Sequence, residues 1–250
     1  MNLWRLEWLR LRRTWRGPAL LIVFLLFGFT GPPTARYLAE ILDSFGGGEM
    51  QVIVADPRPV DGMTQYLGNV HQLGLVTLIV VAASALAFDA SVDVSTFLRT
   101  RVSSIRVLVL SRFAAYTAAG TVAFMLGALA AWYETVVLLG PLPVAGMIAG
   151  MILGGAYYGF VVSLVALSAG LARSALATTA IGFAFAVVEQ IVWGLVPPLE
   201  RWLPARLAFA LSDLAEGEAI GDYALTLAST VAITGLILVG AIRLIERREV

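Results

Sequence analysis

The chain has no lysine and no cysteine, and it has a single histidine. Each absence removes a class of chemistry. Disulfides, thiolate nucleophiles, thiolate metal sites and lysine Schiff bases are all excluded. The phosphate-binding loop of a nucleotide hydrolase needs the lysine of G-x-x-x-x-G-K-[ST] against the phosphates, so this chain cannot carry a standard ATP site. One histidine and no H-E-x-x-H run leave too few convergent ligands for a catalytic metal, and no glycine-flanked serine motif accompanies them. Charge is scarce as well. Of 250 residues 14% are charged and 59% hydrophobic, and the mean hydropathy is +0.86, far above the balance of a soluble globular domain.

What is present is a succession of apolar runs near the ~20 residues a helix needs to cross about 30 Å of hydrocarbon. The chain reads as an all-α membrane protein, a single transmembrane domain with no soluble domain left over. Spans are expected at about 18–38, 67–88, 107–132, 145–167, 175–196 and 223–242. The first is interrupted by Pro32 and Pro33, where a kink is expected. The stretch from Glu40 to about Tyr66, punctuated by Gly46-Gly47-Gly48 and Asp56-Pro57-Arg58-Pro59, reads as an exposed loop. The fourth span holds Gly150, Gly154, Gly155 and Gly159, small residues that let neighbouring backbones approach. Residues 197–222 form an outer segment in which Pro204 to Ala215 can make a short amphipathic helix.

Ahead of the spans, Trp4, Trp8, Leu11 and Trp15 fall on one helical stripe flanked by Arg5, Arg12 and Arg16. Indole rings and guanidinium groups in that arrangement fit the headgroup plane, so residues 1–16 read as an interfacial amphipathic helix, with Trp4, Trp8, Trp15 and Arg12 as membrane-interface residues. The competing reading is the charged start of a signal peptide, but no A-x-A-like site follows Gly31-Pro32-Pro33. Arginines set the orientation, because basic loops stay on the cytoplasmic side. With both termini inside, thirteen of the seventeen arginines are cytoplasmic, and Arg36, Arg58, Arg201 and Arg206 are the four outside.

Three places could carry function. Glu189, beside Gln190 in the fifth span, is a carboxylate where a carboxylate is expensive; it is either a contact on a translocation path or a structural hydrogen-bonding group. His71, near the outer end of the second span beside Asn69 and Gln72, reads as a polar residue at interface depth. The segment 89–106, with Asp89, Ser95, Thr96, Arg99, Arg101 and Arg106, can form a short amphipathic helix leading into the third span and Arg112. A helix offered on the cytoplasmic face gives a soluble motor something to push; taken alone, the segment reads as a solvated basic loop.

Taken together these residues resemble the permease subunits of type-2 ABC exporters, the ABC-2 family. The likeness covers the whole chain: the amino-terminal helix, the long first outer segment ending in Tyr66-Leu67-Gly68-Asn69-Val70-His71-Gln72-Leu73-Gly74, the basic second loop, and the proline-bounded segment before the last span. Asp89 resembles the family's acidic position, Ser95-Thr96 its Gly-Thr-like pair and Arg112 its final basic residue, whereas Val102 stands where proline is usual. The resemblance implies a non-catalytic membrane subunit without a cofactor of its own. It would pair with a second permease copy or a paralogue and dock ATP-binding subunits that hold ATP and magnesium, in a bacterial or archaeal cytoplasmic membrane. Asp89, Ser95, Thr96, Arg99, Arg101, Arg106 and Arg112 would couple the two parts. The substrate is left open, with a lean toward an amphipathic or hydrophobic molecule; no nucleic-acid partner is expected. Two other readings stand beside it: a secondary transporter driven by an ion gradient through Glu189, and a membrane scaffold or immunity-type protein.

Overall fold

A computed structural model describes residues 3–45, 56–87 and 104–247 of the chain. Every regular element among them is helical: α1 (Leu3–Arg13), α2 (Arg16–Arg36), α3 (Leu38–Phe45), α4 (Pro59–Asn69), α5 (Leu75–Leu86), α6 (Ile105–Leu138), α7 (Val144–Leu171), α8 (Ala175–Leu195), α9 (Ala205–Glu216) and α10 (Ala224–Glu246). Six stretches are long and apolar enough to cross a membrane: Arg16–Arg36, Pro59–Leu86, Ile105–Leu138, Val144–Leu171, Ala175–Leu195 and Ile220–Glu246.

The bundle is built around α7. In its most apolar window 78% of residues are buried, against 17% in α8 and in the α10 stretch, so α7 is the axis and those two are peripheral. An aromatic cluster joins α7 to three other helices, α2, α4 and α6. Phe124 lies 5.0 Å from Tyr158 and 6.1 Å from Tyr66, Phe24 lies 5.6 Å from Tyr158, and Tyr66 donates its hydroxyl to the Phe124 carbonyl at 2.8 Å. In lipid, buried polar groups of this kind must find partners within the protein.

Pro32 and Pro33 lie inside α2, as the span expected at 18–38 has them, and the Tyr37 N–H reaches the Pro33 carbonyl at 3.0 Å. One expectation about the first outer region does not hold. The loop expected from Glu40 to Tyr66 is helical at both ends, as α3 to Phe45 and as α4 from Pro59. The reason lies at Arg58-Pro59: proline at the first helical position loses no needed N–H, and the Asp61 carboxylate accepts the Arg58 backbone N–H at 2.7 Å. Between α4 and α5 the chain widens into one π-helical turn, Val70–Gly74, so the second apolar stretch runs unbroken through a local insertion.

The expected tryptophan stripe is also divided. Glu7 and Leu11, one turn apart, face the bundle and are buried; Trp4 and Trp8 are exposed, and Trp15 lies beyond the end of α1 at 82% exposure. Leu11 therefore belongs to the core and not to the tryptophan face. At the other end α9 packs along α7, and this contact depends on missing side chains. A Cβ on Gly146 would stand 2.6 Å from the Leu214 carbonyl oxygen, and one on Gly150 2.6 Å from the Leu211 Cα.

Candidate functional site

The end of the bundle where α1, α2, α5 and α6 meet is organised by arginine. The last carbonyls of a helix lack intrahelical partners and carry the negative end of its dipole, so cations are stabilised there. α5 ends at Leu86, and two guanidinium groups close it. Arg16, at the start of α2, donates to the Ser84 carbonyl and to the Tyr116 hydroxyl, each at 3.1 Å. Arg112, from α6, donates through Nη1 to the Ala85 carbonyl and through Nε to Glu7 Oε1 at 3.1 Å. Arg112 is 3% exposed and Glu7 0%, so this ion pair ties α1, α5 and α6 together away from solvent. Arg10 adds a weaker approach to Glu7 at 3.9 Å.

Of the expected coupling residues, Asp89, Ser95, Thr96, Arg99 and Arg101 lie outside the described residues. Arg112 is in the clamp just described, and Arg106 is exposed, paired with Glu246 of α10 at 2.9 Å. Neither Glu7 as the partner of Arg112 nor Arg16 as the second guanidinium on the end of α5 emerged from the sequence. The available signal was Glu7 itself, the sole acid among the first 39 residues, set in an arginine-rich helix.

The second place is a cleft of about 530 Å³ between the π turn, α5, α8 and α9. His71, Gln72 and Gln190 supply its polar lining, and Phe183, Ile191 and Phe209 are among its apolar walls. The His71 ring stacks on Phe209 at 4.8 Å, and Phe209 stacks on Trp193 at 5.2 Å, both within 13° of parallel. His71 Nδ1 lies 2.9 Å from the Leu67 carbonyl oxygen, which can only accept, so Nδ1 carries the proton. The other ring nitrogen then presents a lone pair, and Nε2 is buried with no partner among the described residues. A buried acceptor without a donor costs about 1–3 kcal/mol. Opposite, Gln190 Nε2 donates to the Tyr157 hydroxyl at 3.1 Å, leaving the amide oxygen as a second acceptor at the cleft wall.

Glu189 and Gln190 are neighbours in sequence that serve different surroundings. Glu189 is 9% exposed, and its Oε1 accepts the N–H of Ala205, the first residue of α9. The carboxylate thus sits at the positive end of α9 and satisfies one of its free N–H groups from another helix. Glu189 joins α8 to α9, and Gln190 faces the cleft. Sequence reading did not find Phe209 as a cleft residue, nor Tyr157 and Trp193 as the groups behind Gln190 and Phe209, because aromatics in apolar spans carry no label for which face they occupy.

Among the described residues no group of three or more histidine, aspartate or glutamate side chains is placed to hold a metal ion. No protein-family model matches the chain, and no curated protein matches it. Fold and composition define a multi-pass membrane protein, all-helical among its described residues, with six helices long and apolar enough to span.

Proposed function

We propose that the chain is the membrane-spanning permease subunit of an ATP-driven exporter of the ABC-2 kind. It pairs with a second permease and works with separate ATP-binding subunits in a prokaryotic cytoplasmic membrane, its arginine-rich end inside. The observation that most directly supports this reading is the arginine clamp. α5 ends immediately before segment 88–103, which carries Arg99 and Arg101, and its last carbonyls are held by Arg16 of α2 and Arg112 of α6, with α1 joined through Glu7. A push on that segment would be delivered to four helices together instead of being absorbed by one frayed end. The cleft supports the second half of the reading, a path for an amphipathic substrate: aromatic walls accept its apolar part, and the amide groups of Gln72 and Gln190 suit its O–H or N–H groups.

The test is co-expression with the ATP-binding subunit encoded beside the gene, followed by purification and ATPase measurement, comparing wild type with Arg99→Glu/Arg101→Glu. Association with ATP turnover that the charge reversal lowers supports the reading. Failure of wild type to associate with any ATP-binding subunit overturns it and brings forward gradient-driven transport through Glu189.

A further inference from the structure

Where α1 meets α2, the two helices and α6 leave a groove of about 300 Å³. Its walls are Leu11, Gly17, Pro18 and Leu21 on one side and Ala118, Ala119 and Val122 of α6 on the other, with Trp8 and Arg12 at its rim. The concavity follows from small residues. Gly17 lies so close to α1 that a Cβ there would stand 2.8 Å from the Leu11 carbonyl oxygen, and two consecutive alanines form the α6 wall. The α2 and α6 residues advance together along their helices, 17 to 21 and 118 to 122, so the groove runs about one turn down the spans from the arginine-rich end.

The rim is chemically unlike the floor. Arg10, Arg16 and Arg112 all bond to protein groups, but Arg12 is exposed and its guanidinium has no hydrogen bond or ion pair among the described residues. A planar cation with five donors free at the mouth of an apolar groove, beside a half-exposed tryptophan, matches a ligand with a phosphate at one end and hydrocarbon at the other. The geometry points to a binding site for one anionic phospholipid, its phosphate on Arg12, its glycerol region beside Trp8 and an acyl chain in the groove between α2 and α6. The bound lipid bridges α1 to the first and third spans from the membrane side, opposite the Glu7–Arg112 pair that bridges α1 to α5 and α6 from within. This site is independent of any transport activity.

Native mass spectrometry of the purified full chain, delipidated and then titrated with phosphatidylglycerol or phosphatidylcholine, tests it. Wild type is expected to retain phosphatidylglycerol about fivefold better than phosphatidylcholine. Arg12→Gln removes that preference, and Arg13→Gln, also exposed but off the groove, keeps it. Ala119→Phe, which fills the floor, lowers retention of both lipids. The Arg12 and Arg13 arms involve exposed side chains, so the test stands if Ala119→Phe fails to fold. Equal retention of the two lipids by wild type, or an equal loss in Arg13→Gln, overturns the site in favour of diffuse attraction to basic residues. A change of oligomeric state in Ala119→Phe with lipid retention untouched overturns it in favour of a second protein copy in the groove.

Discussion

Two buried carboxylates illustrate how much one residue decides here, because each meets its charge in a different way. Glu7 has a guanidinium, and removing one member of a buried pair strands the other. Arg112→Leu is expected to cost about 3–5 kcal/mol, visible as a lowered melting temperature in detergent, and Glu7→Gln to cost less because the amide oxygen still accepts from Nε. Glu189 instead has, among the described residues, a single donor, the Ala205 backbone N–H of α9. Glu189→Gln keeps an acceptor for the Ala205 N–H and is expected to change stability little, whereas Glu189→Leu leaves that N–H unsatisfied at about 1–2 kcal/mol. A chain in which Glu189→Gln loses function at full stability would show that the carboxylate does more than hold α9. The isolated acid in an apolar span was conspicuous in the sequence, but its partner was not. The Ala205 N–H is a backbone group fifteen residues beyond Gln190, and no side chain announces it.

Among elements, α9 is the one on which the cleft depends, since it carries Phe209 and is held at three points: by Glu189 at its start, by α7 along its length and by Tyr223 near its end. Its amphipathic pattern made it legible as a helix, and the prolines around it made it legible as a segment apart from the spans. The π turn was not legible, because inserting one residue into a helix that is apolar on most sides leaves the hydrophobic pattern nearly unchanged. α3 and the start of α4 were missed because glycine and proline punctuation was read across the whole stretch, although Pro59 and Asp61 carried an ordinary helix-start signal. At the far end of α9 the Tyr223 hydroxyl lies 2.9 Å from Asp213 Oδ2 and 3.0 Å from Glu218 Oε2, one proton for two carboxyl groups, with Arg206 3.5 Å from Glu218. Burial raises the Asp213 carboxyl above its ordinary value, ahead of the opposing effect of the Tyr223 hydrogen bond. Because its folded value is the higher one, the stabilisation it gives is complete below the ordinary aspartate value and is lost as pH rises through the raised value. With the intrinsic pH dependence of amide exchange divided out, the protection of α9 is therefore expected to fall as pH rises above the ordinary aspartate value, and Asp213→Asn to flatten that dependence; an unchanged slope in the variant would assign it to other groups.

For the whole molecule, the six spanning helices followed from composition and run length, whereas their packing around α7 did not, because apolar residues facing lipid and apolar residues facing protein are the same residues. Orientation is the property on which clamp, cleft and lipid groove all depend. The topology read from the sequence assigns thirteen of the seventeen arginines to one side and gathers acids on the other. Each arginine favours the cytoplasmic side, and so many on one side should leave no mixed topology. The absence of cysteine turns this into a clean measurement, since any introduced thiol is the only one in the chain. Thr14, Arg173 and Glu216 are exposed, the first two at the arginine-rich end and the third at the end of α9. With a membrane-impermeant maleimide on intact cells, Glu216→Cys is expected to react, and Thr14→Cys and Arg173→Cys to react only after permeabilisation. The reverse pattern would put the clamp outside, where no ATP-binding subunit could reach the segment that follows α5, and the permease proposal would fail with it. Labelling of all three in intact cells would mean the six stretches do not seal as one bundle in one orientation, and the cleft between α8 and α9 would have to be reconsidered as an interface between copies.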